Sequence, residues 1–264
     1  MSDDALREDR DGVAILTFNR PNKLNAINMP IREALAKAAE DLRERDDVRA
    51  LLIRARGRFF TAGIDISDSG GGAGDYTHET SMANVRRDYR RGLHVLLDEL
   101  EAIEKPVVIA IHANCLGAGV ELAGVCDFRL AAESARFGLP EINIGVIAGS
   151  GGVSRFTRLC GVGWSKWLSM AGEHIDARTA QIAGFVQAVY PDAEFESEVE
   201  AFCQRLVSRP AEVQAAAKIA IELCHDLDRQ QGRNVERLVN APFLMSDRSE
   251  LIESALGRGK PKDK

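Results

Sequence analysis

An α/β fold followed by a helical C-terminal region is what the 264-residue sequence predicts, on three observations. Runs such as VAILTF (13–18) and KPVVIAIHA (105–113) are continuously apolar and β-branched, as strands covered on both faces must be. These runs alternate with glycine-containing turns and amphipathic helical segments, the pattern that builds largely parallel sheets. From Ala193 almost to Gly257 the strand signal disappears and helical spacing takes over. The expected division is therefore 1–192, a core of strand–turn–helix units, and 193–264, a helical region.

In order, VAILTF reads as a strand and NRPNKLNA (19–26) as a turn rich in Asn with one Pro. MPIREALAKAAEDLRERDD (29–47) spaces its apolar residues for one helix face. VRALLIRA (48–55) reads as a second strand, GRFFTAGIDIS (57–67) as a tight turn, and DSGGGAGDYTHET (68–80) as a surface loop. Residues 81–104 read as helical. KPVVIAIHA is a buried strand, GAGVELAG (117–124) opens a short helix, and CDFRLAA (126–132) is a further strand. INIGVIAGSGG (142–152) reads as a strand-like piece entering a glycine-rich turn. Residues 153–172 and 176–184 read as helices, and FVQAVYP (185–191) as a short strand.

Composition narrows the functions. Apolar residues make up 45% and charged residues 28%, enough for a sizeable core and ordinary for a globular protein. A net charge of −6 argues against nucleic acid or an anionic membrane as partner. The acidic start, MSDDALREDRDG, has no apolar segment and resembles neither a signal nor a transit peptide. Cys115, Cys126, Cys160, Cys203 and Cys224 are scattered, odd in number and without a CxxC, which fits reduced thiols and a cytoplasmic location. The most apolar stretch, 107–125, is interrupted by His112, Asn114 and Glu121 and is too polar to span a bilayer.

Three familiar motifs fail. The GAG at 117–119 follows a strand, but the third small residue of a dinucleotide fingerprint is replaced by Leu122. His78, His94, His112, His174 and His225 show no HxH or HExxH spacing, so no metal site is expected. In AGSGG (148–152), Gly151 follows Ser150 directly, whereas a nucleophile elbow needs one residue between them. What remains is a pair of carboxylates, Glu121 and Glu141, among glycine-rich turns. Paired carboxylates suit acid/base chemistry, because one ionises while its neighbour keeps a proton. Turns that enter helices expose N–H groups able to hold a developing oxyanion. From periodicity alone, Glu121 fits a solvated helix face equally well, and Glu141 an ordinary turn position after Pro140.

Taken together, VAILTFNRPNKLNAI, FFTAGIDI, KPVVIAIHANCLGAGVELAGVCDFRLAAESARFGLPEINIGVIAGSGG and FLMSDRSELIESALGRGKP resemble, in order and spacing, the crotonase (enoyl-CoA hydratase/isomerase) family over essentially the whole chain. The resemblance implies a spiral of ββα units with a C-terminal helical trimerisation region that also lids the site. It implies a homotrimer or dimer of trimers acting on acyl-CoA thioesters, with no cofactor beyond the CoA of the substrate. It places oxyanion-hole N–H donors at Ala62 and Ala118, where losing one donor costs about 3–4 kcal/mol of transition-state stabilisation. Glu121 would orient and deprotonate water, and Glu141 would protonate the α-carbon. CoA or substrate contacts are expected at Lys23, Leu24, Ala26, Gly63, Ile64, Asp65, Ile66, Gly117, Gly149 and Lys260, with Asp65 also holding its turn. The two lysines would meet phosphates.

Three positions depart from the family pattern. Ala118 stands for the central glycine of a GGG turn, so φ there should stay negative. Ala148 stands for a proline, and Ala255 for a phenylalanine near the C-terminal lid. Isomerases of the family often keep only the second acid, and dienoyl isomerases add an Asp where this chain has Gly149. Both acids together favour hydration of an enoyl-CoA. Alternatives are double-bond isomerisation, or hydration with thioester hydrolysis of a substituted acryloyl-CoA such as methylthioacryloyl-CoA. One branch of the family binds RNA through a lysine-rich helix, which REALAKAAEDLRERDD is not. The loop 68–80, the helix starting near Met82, Tyr89 and Trp164 are candidates for lining the acyl-tail pocket.

Overall fold

The computed structural model of the chain describes residues 3–67, 81–89 and 92–256. The loop 68–80, with His78, and Lys260 lie outside the described residues. Contacts divide the chain into a unit from Met1 to Ala211 and a unit from Glu212 to Lys264.

In the first unit, six strands form one sheet: β1 (Ala5–Arg10), β2 (Val13–Phe18), β3 (Ala50–Ala55), β5 (Val107–Ile111), β7 (Phe128–Ala132) and β10 (Ala188–Tyr190), in that spatial order. Four short strands form another: β4 (Phe59–Thr61), β6 (Asn114–Leu116), β8 (Arg136–Gly138) and β9 (His174–Asp176). The pairs β3–β4, β5–β6 and β7–β8 each give one strand to each sheet, and a helix follows each pair. This is the repeated ββα unit. Pairing from β2 through β10 in the large sheet is parallel, and only β1 joins antiparallel.

The large sheet is covered on both faces, which explains why all six residues of β2 are buried. Ala14, Leu16, Phe18, Leu51, Ile53, Val107 and Ile109 point into the main core. There they share a cluster with residues of α1 (Met29–Glu44), α3 (Leu93–Glu101) and α4 (Ala118–Val125). Val13, Ile15, Leu52, Val108, Ala110, Leu130 and Ala132 point the other way, onto Phe195, Val199 and Cys203 of α7 (Phe195–Val207). α7 covers that face and belongs to the first unit, which runs to Ala211.

Arg129, on β7, is 4% exposed and supplies a polar tie inside this core. Its guanidinium donates to the carbonyls of Phe185, Ala123 and Cys126 and stacks over the Phe185 ring. These contacts join β7, the end of α4 and the chain after α6 (Ala177–Ile182).

Two expectations change. INIGVIAGSGG is not a strand: Pro140–Ile144 forms a 3-10 turn that ends at Gly145 in the left-handed region, with Ile142, Ile144, Val146 and Ile147 exposed. β1 was not expected, because ALREDR is charged and only Ala5 of it is buried. Such a strand suits a sheet edge, where charge discourages pairing with other chains. The second unit contains the end of α8 (Ala211–His225), then α9 (Arg229–Met245) and α10 (Ser249–Ala255). None of its described residues is buried, and Leu238, Leu244, Met245, Leu251 and Ile252 are all exposed. No helix among the described residues is long and apolar enough to cross a membrane.

Replacing Arg129 with alanine takes its donors from the Phe185 and Cys126 carbonyls and leaves Ala123 only the Cys126 N–H, so Arg129→Ala should destabilise the protein by about 2–4 kcal/mol, read as a lowered denaturant midpoint.

Candidate active site

The site is assembled from three glycine-bearing turns and one 3-10 turn. The first turn follows β4. Residues 20–28 and 61–65 are laced together: the Ala62 N–H donates to the Leu24 carbonyl at 2.9 Å, Ile27 N–H to Gly63 at 2.8 Å, and Asp65 N–H to Ile27 at 3.0 Å. Leu24 reaches this position with a left-handed φ of 53°. Asp65 holds the turn, as expected. It accepts from Arg20 at 2.6 Å and from the Ser67 hydroxyl at 2.6 Å. The Ser67 and Arg20 hydrogen bonds keep its carboxyl at about 2 despite burial.

This lacing corrects the expected donor pair. The Ala62 N–H is already spent on Leu24. Ile64 forms a parallel bridge with Ile27, in which Gly63 and Asp65 supply the hydrogen bonds. The N–H of Ile64 itself therefore points away from the bridge and has no acceptor among the described residues. Sequence spacing does not show which N–H in FTAGID is free, because that depends on the partner carbonyls contributed by residues 24 and 27.

The second turn leads into α4. Gly117 takes a φ of 53°, while Ala118 keeps a negative φ and begins the helix. A side chain at Gly117 would meet Glu141 Oε1 at 2.7 Å. A Cβ at Gly63 would lie 3.4 Å from the Ala118 nitrogen, so the two turns are in close contact. At the start of α4 the Ala118 N–H has no acceptor among the described residues, as is usual in a first helical turn. A Cβ at Gly119 would collide with Thr61 Cγ2, because the helix end packs against β4.

Glu121 lies one turn into α4 and is only 5% exposed. It is a core residue, not part of a solvated face. Its Oε1 accepts from the Ser150 N–H at 2.6 Å and the Gly152 N–H at 3.2 Å. These donors belong to the third turn, 148–152, which enters α5 (Gly152–Ser169). Burial, then the neighbouring Glu141, lift the Glu121 carboxyl to about 7. Glu141, in the 3-10 turn, is also raised by burial. Its Oε2 is buried and makes no hydrogen bond among the described residues. A buried acceptor left open in this way marks a place for a ligand group.

The structure thus brings Glu121, Glu141, Gly117 and Ala118 together, with Gly63 and its neighbour Ile64 alongside and Gly149 in the turn that holds Glu121. Lys23, Leu24 and Ala26 sit in the segment laced to residues 61–65, and Ile66 is 59% exposed. Ser150 and Gly152 are polar contributors that sequence reading missed, and Ile64, expected only as a substrate contact, is the one with the free donor, since each acts through its backbone N–H. No cluster of three or more His, Cys, Asp or Glu that could hold a metal occurs among the described residues.

A raised carboxyl in the folded state has a definite linkage sign. Below 4.5, the ordinary value, Glu121 is protonated both folded and unfolded and burial carries no charge cost. As pH rises to about 7 the unfolded chain ionises first, and folding stability falls. Glu121→Gln should therefore raise stability by about 2 kcal/mol above pH 7, with the gain shrinking towards pH 4.5, in thermal melts across that range.

Known proteins carry the same arrangement of elements. The family model described as enoyl-CoA hydratase/isomerase matches residues 8–260. The 2,3-dehydroadipyl-CoA hydratase of Escherichia coli K12 is 34% identical over 251 residues, covering 94% of each chain. The probable enoyl-CoA hydratase echA8 of Mycobacterium bovis is 30% identical, covering 94% of this chain and 93% of its own. The crystal structure of an enoyl-CoA hydratase from Bacillus anthracis superposes with a TM-score of 0.86 at 27% identity, over 99% of both chains. With the two-sheet spiral and the match along nearly its full length, the chain is a member of the enoyl-CoA hydratase/isomerase family.

Proposed function

We propose that the protein hydrates the 2,3 double bond of an α,β-unsaturated acyl-CoA, adding water on one face. The observation that carries this reading is the buried Glu121 facing the half-buried Glu141, whose Oε2 is itself buried, beside N–H groups at Ile64 and Ala118 that have no acceptor among the described residues. The substrate thioester carbonyl would take those two N–H groups. Charge that develops on its oxygen as an enolate forms would then meet fixed dipoles that need no reorganisation. Water would sit between the acids. Glu121, oriented by Ser150 and Gly152, would remove its proton as the oxygen attacks the β-carbon. Glu141 would deliver a proton to the α-carbon. Two neighbouring carboxyls that burial raises, Glu121 further by the charge of Glu141, can hold one proton between them, which suits this exchange.

The acyl-CoA would lie along residues 23–26 and 63–66. At Lys23, Leu24 and Ala26 every N–H is already used within the turn. Only the second lone pairs of their carbonyls remain for an adenine amine. Gly117 and Gly149 would border the acyl group, and Lys23 and Lys260 would meet phosphates. No separate cofactor takes part on this reading, and the chemistry is compatible with a cytoplasmic enzyme. The exposed apolar residues of the second unit support its role as a trimerisation region, in a trimer or a dimer of trimers.

The test is a panel of short- and medium-chain enoyl-CoAs with product masses measured. Addition of one water with CoA retained is expected. Free CoA would indicate hydrolysis instead, and an unchanged mass with a moved double bond would indicate isomerisation. Glu121→Gln and Glu141→Gln should each lower kcat on crotonyl-CoA by about 10²–10⁴-fold, the range for a positioned acid or base. Wild-type turnover by either variant would remove that acid from the mechanism.

A further inference from the structure

Glu121 is held by a turn, and the turn is itself held. Arg155, one turn into α5, is largely buried, with 13% of its side chain exposed. Its Nη1 donates to the Ser150 carbonyl at 3.3 Å, the residue whose N–H carries Glu121. Its backbone N–H donates to the Gly151 carbonyl at 2.9 Å. A Cβ at Gly151 would collide with Arg155 Nη1, so the guanidinium lies directly against the turn. On the opposite side, a Cβ at Gly152 would meet Glu121 Cγ at 3.0 Å. The turn is therefore moulded between Arg155 and Glu121, and glycines at 151 and 152 make room for both.

The guanidinium is in turn fixed from α3. Nε donates to Glu101 Oε1 and Oε2 at 3.1 and 3.0 Å, and Nη2 donates to Glu101 Oε2 at 2.7 Å. Nη2 also donates to Asp98. This forked grip on one carboxylate fixes the plane of the guanidinium as well as its position. A helix that contributes nothing to the acid pair thereby sets the height of the turn.

We infer that Arg155, oriented by Glu101, is a positioning residue for Glu121: it fixes the 148–152 turn whose Ser150 and Gly152 N–H groups orient the carboxylate. The inference rests on the reading of Glu121 as a member of the acid pair. Arg155 touches no substrate and acts through the turn. It also acts through space, because its cation opposes the rise in the Glu121 carboxyl caused by burial and by Glu141. The charged or titratable groups around this pair are Glu141 from the 3-10 turn and Asp98 and Glu101 from α3. His94 stands 3.4 Å from Asp98.

The test compares Arg155→Gln, Arg155→Lys, Glu101→Gln, Glu121→Gln and the double variant Glu121→Gln/Arg155→Gln in the full chain. The readouts are kcat, KM and the pH profile of kcat/KM on crotonyl-CoA. Arg155→Gln should lower kcat by about 10–100-fold, the scale expected when a reacting group is displaced, with KM changed less than about threefold. Arg155→Lys should restore part of kcat. The double variant should be no slower than Glu121→Gln alone, since both changes act on one group. The Glu121 limb of the pH profile should move to higher pH in Arg155→Gln, where the cation is lost. It should move to lower pH in Glu101→Gln, where the cation is less compensated. A purely structural role would not split these directions.

If Glu121→Gln is inactive while Arg155→Gln and Glu101→Gln keep the wild-type rate and profile, this inference fails and the acid pair stands. Independent, multiplicative losses in the double variant would also overturn it. If Glu121→Gln keeps full activity, the acid pair fails and takes this inference with it. Should Arg155→Gln not fold, Glu101→Gln and Arg155→Lys decide: a fall in kcat with KM nearly unchanged in Glu101→Gln, and a partial rate in Arg155→Lys, support the inference, and wild-type kcat in both overturns it.

Discussion

The structure depends on the hydrogen bonding of one buried carboxylate. Glu121 sits in α4 at 5% exposure, where an unpaired charge would be intolerable. It is not neutralised by a direct ion pair. Two backbone N–H groups, from Ser150 and Gly152, hold one of its oxygens. This solution keeps the group ionisable, whereas a salt bridge would pin it as an anion. Burial and the neighbouring Glu141 lift it to about 7, where a carboxyl can both give and take a proton at neutral pH.

Much of the surrounding fold follows from bringing those N–H groups to that place. The three turns at 61–65, 117–119 and 148–152 must approach one another more closely than side chains permit. Glycine at 63, 117 and 151 takes positive φ, and a Cβ at 117, 119, 151 or 152 would collide with a neighbouring group. The ββα spiral supplies the approach: each repeat ends one strand in the small sheet, and the turns that follow β4 and β6 lie side by side. On the proposed reading, the same contact sets Ile64 and Ala118 beside a thioester carbonyl. Rigidity is provided from outside the site, by Asp65 with Arg20 and Ser67, and by Arg155 with Glu101.

The large sheet was legible because its strands are continuously apolar, and that pattern arises from cover on both faces. Glu121 and Glu141 were legible as a pair only against the order of motifs along the whole chain, since periodicity allowed a solvated face for one and a plain turn for the other. The strands of the small sheet were not legible: each has three residues, too few for any period to register. INIGVIAGSGG misled because its apolar residues are exposed in a turn. The free N–H at Ile64 was hidden for a different reason. Backbone donors carry no residue type, and whether 62 or 64 is free depends on a carbonyl about forty residues earlier in the chain, at Leu24. The role of Arg155 carries no sequence signal, because its partners Glu101 and Asp98 lie more than fifty residues earlier in the chain.

The claim that the buried Glu121 is coupled to the half-buried Glu141 is tested most directly by infrared titration of the carboxyl stretch, taken as the difference between wild type and Glu121→Gln. The account predicts a protonated carboxyl band that persists to about pH 7 and whose midpoint falls when Glu141 is replaced by Gln. A midpoint near the ordinary 4.5, unmoved by Glu141→Gln, would contradict it.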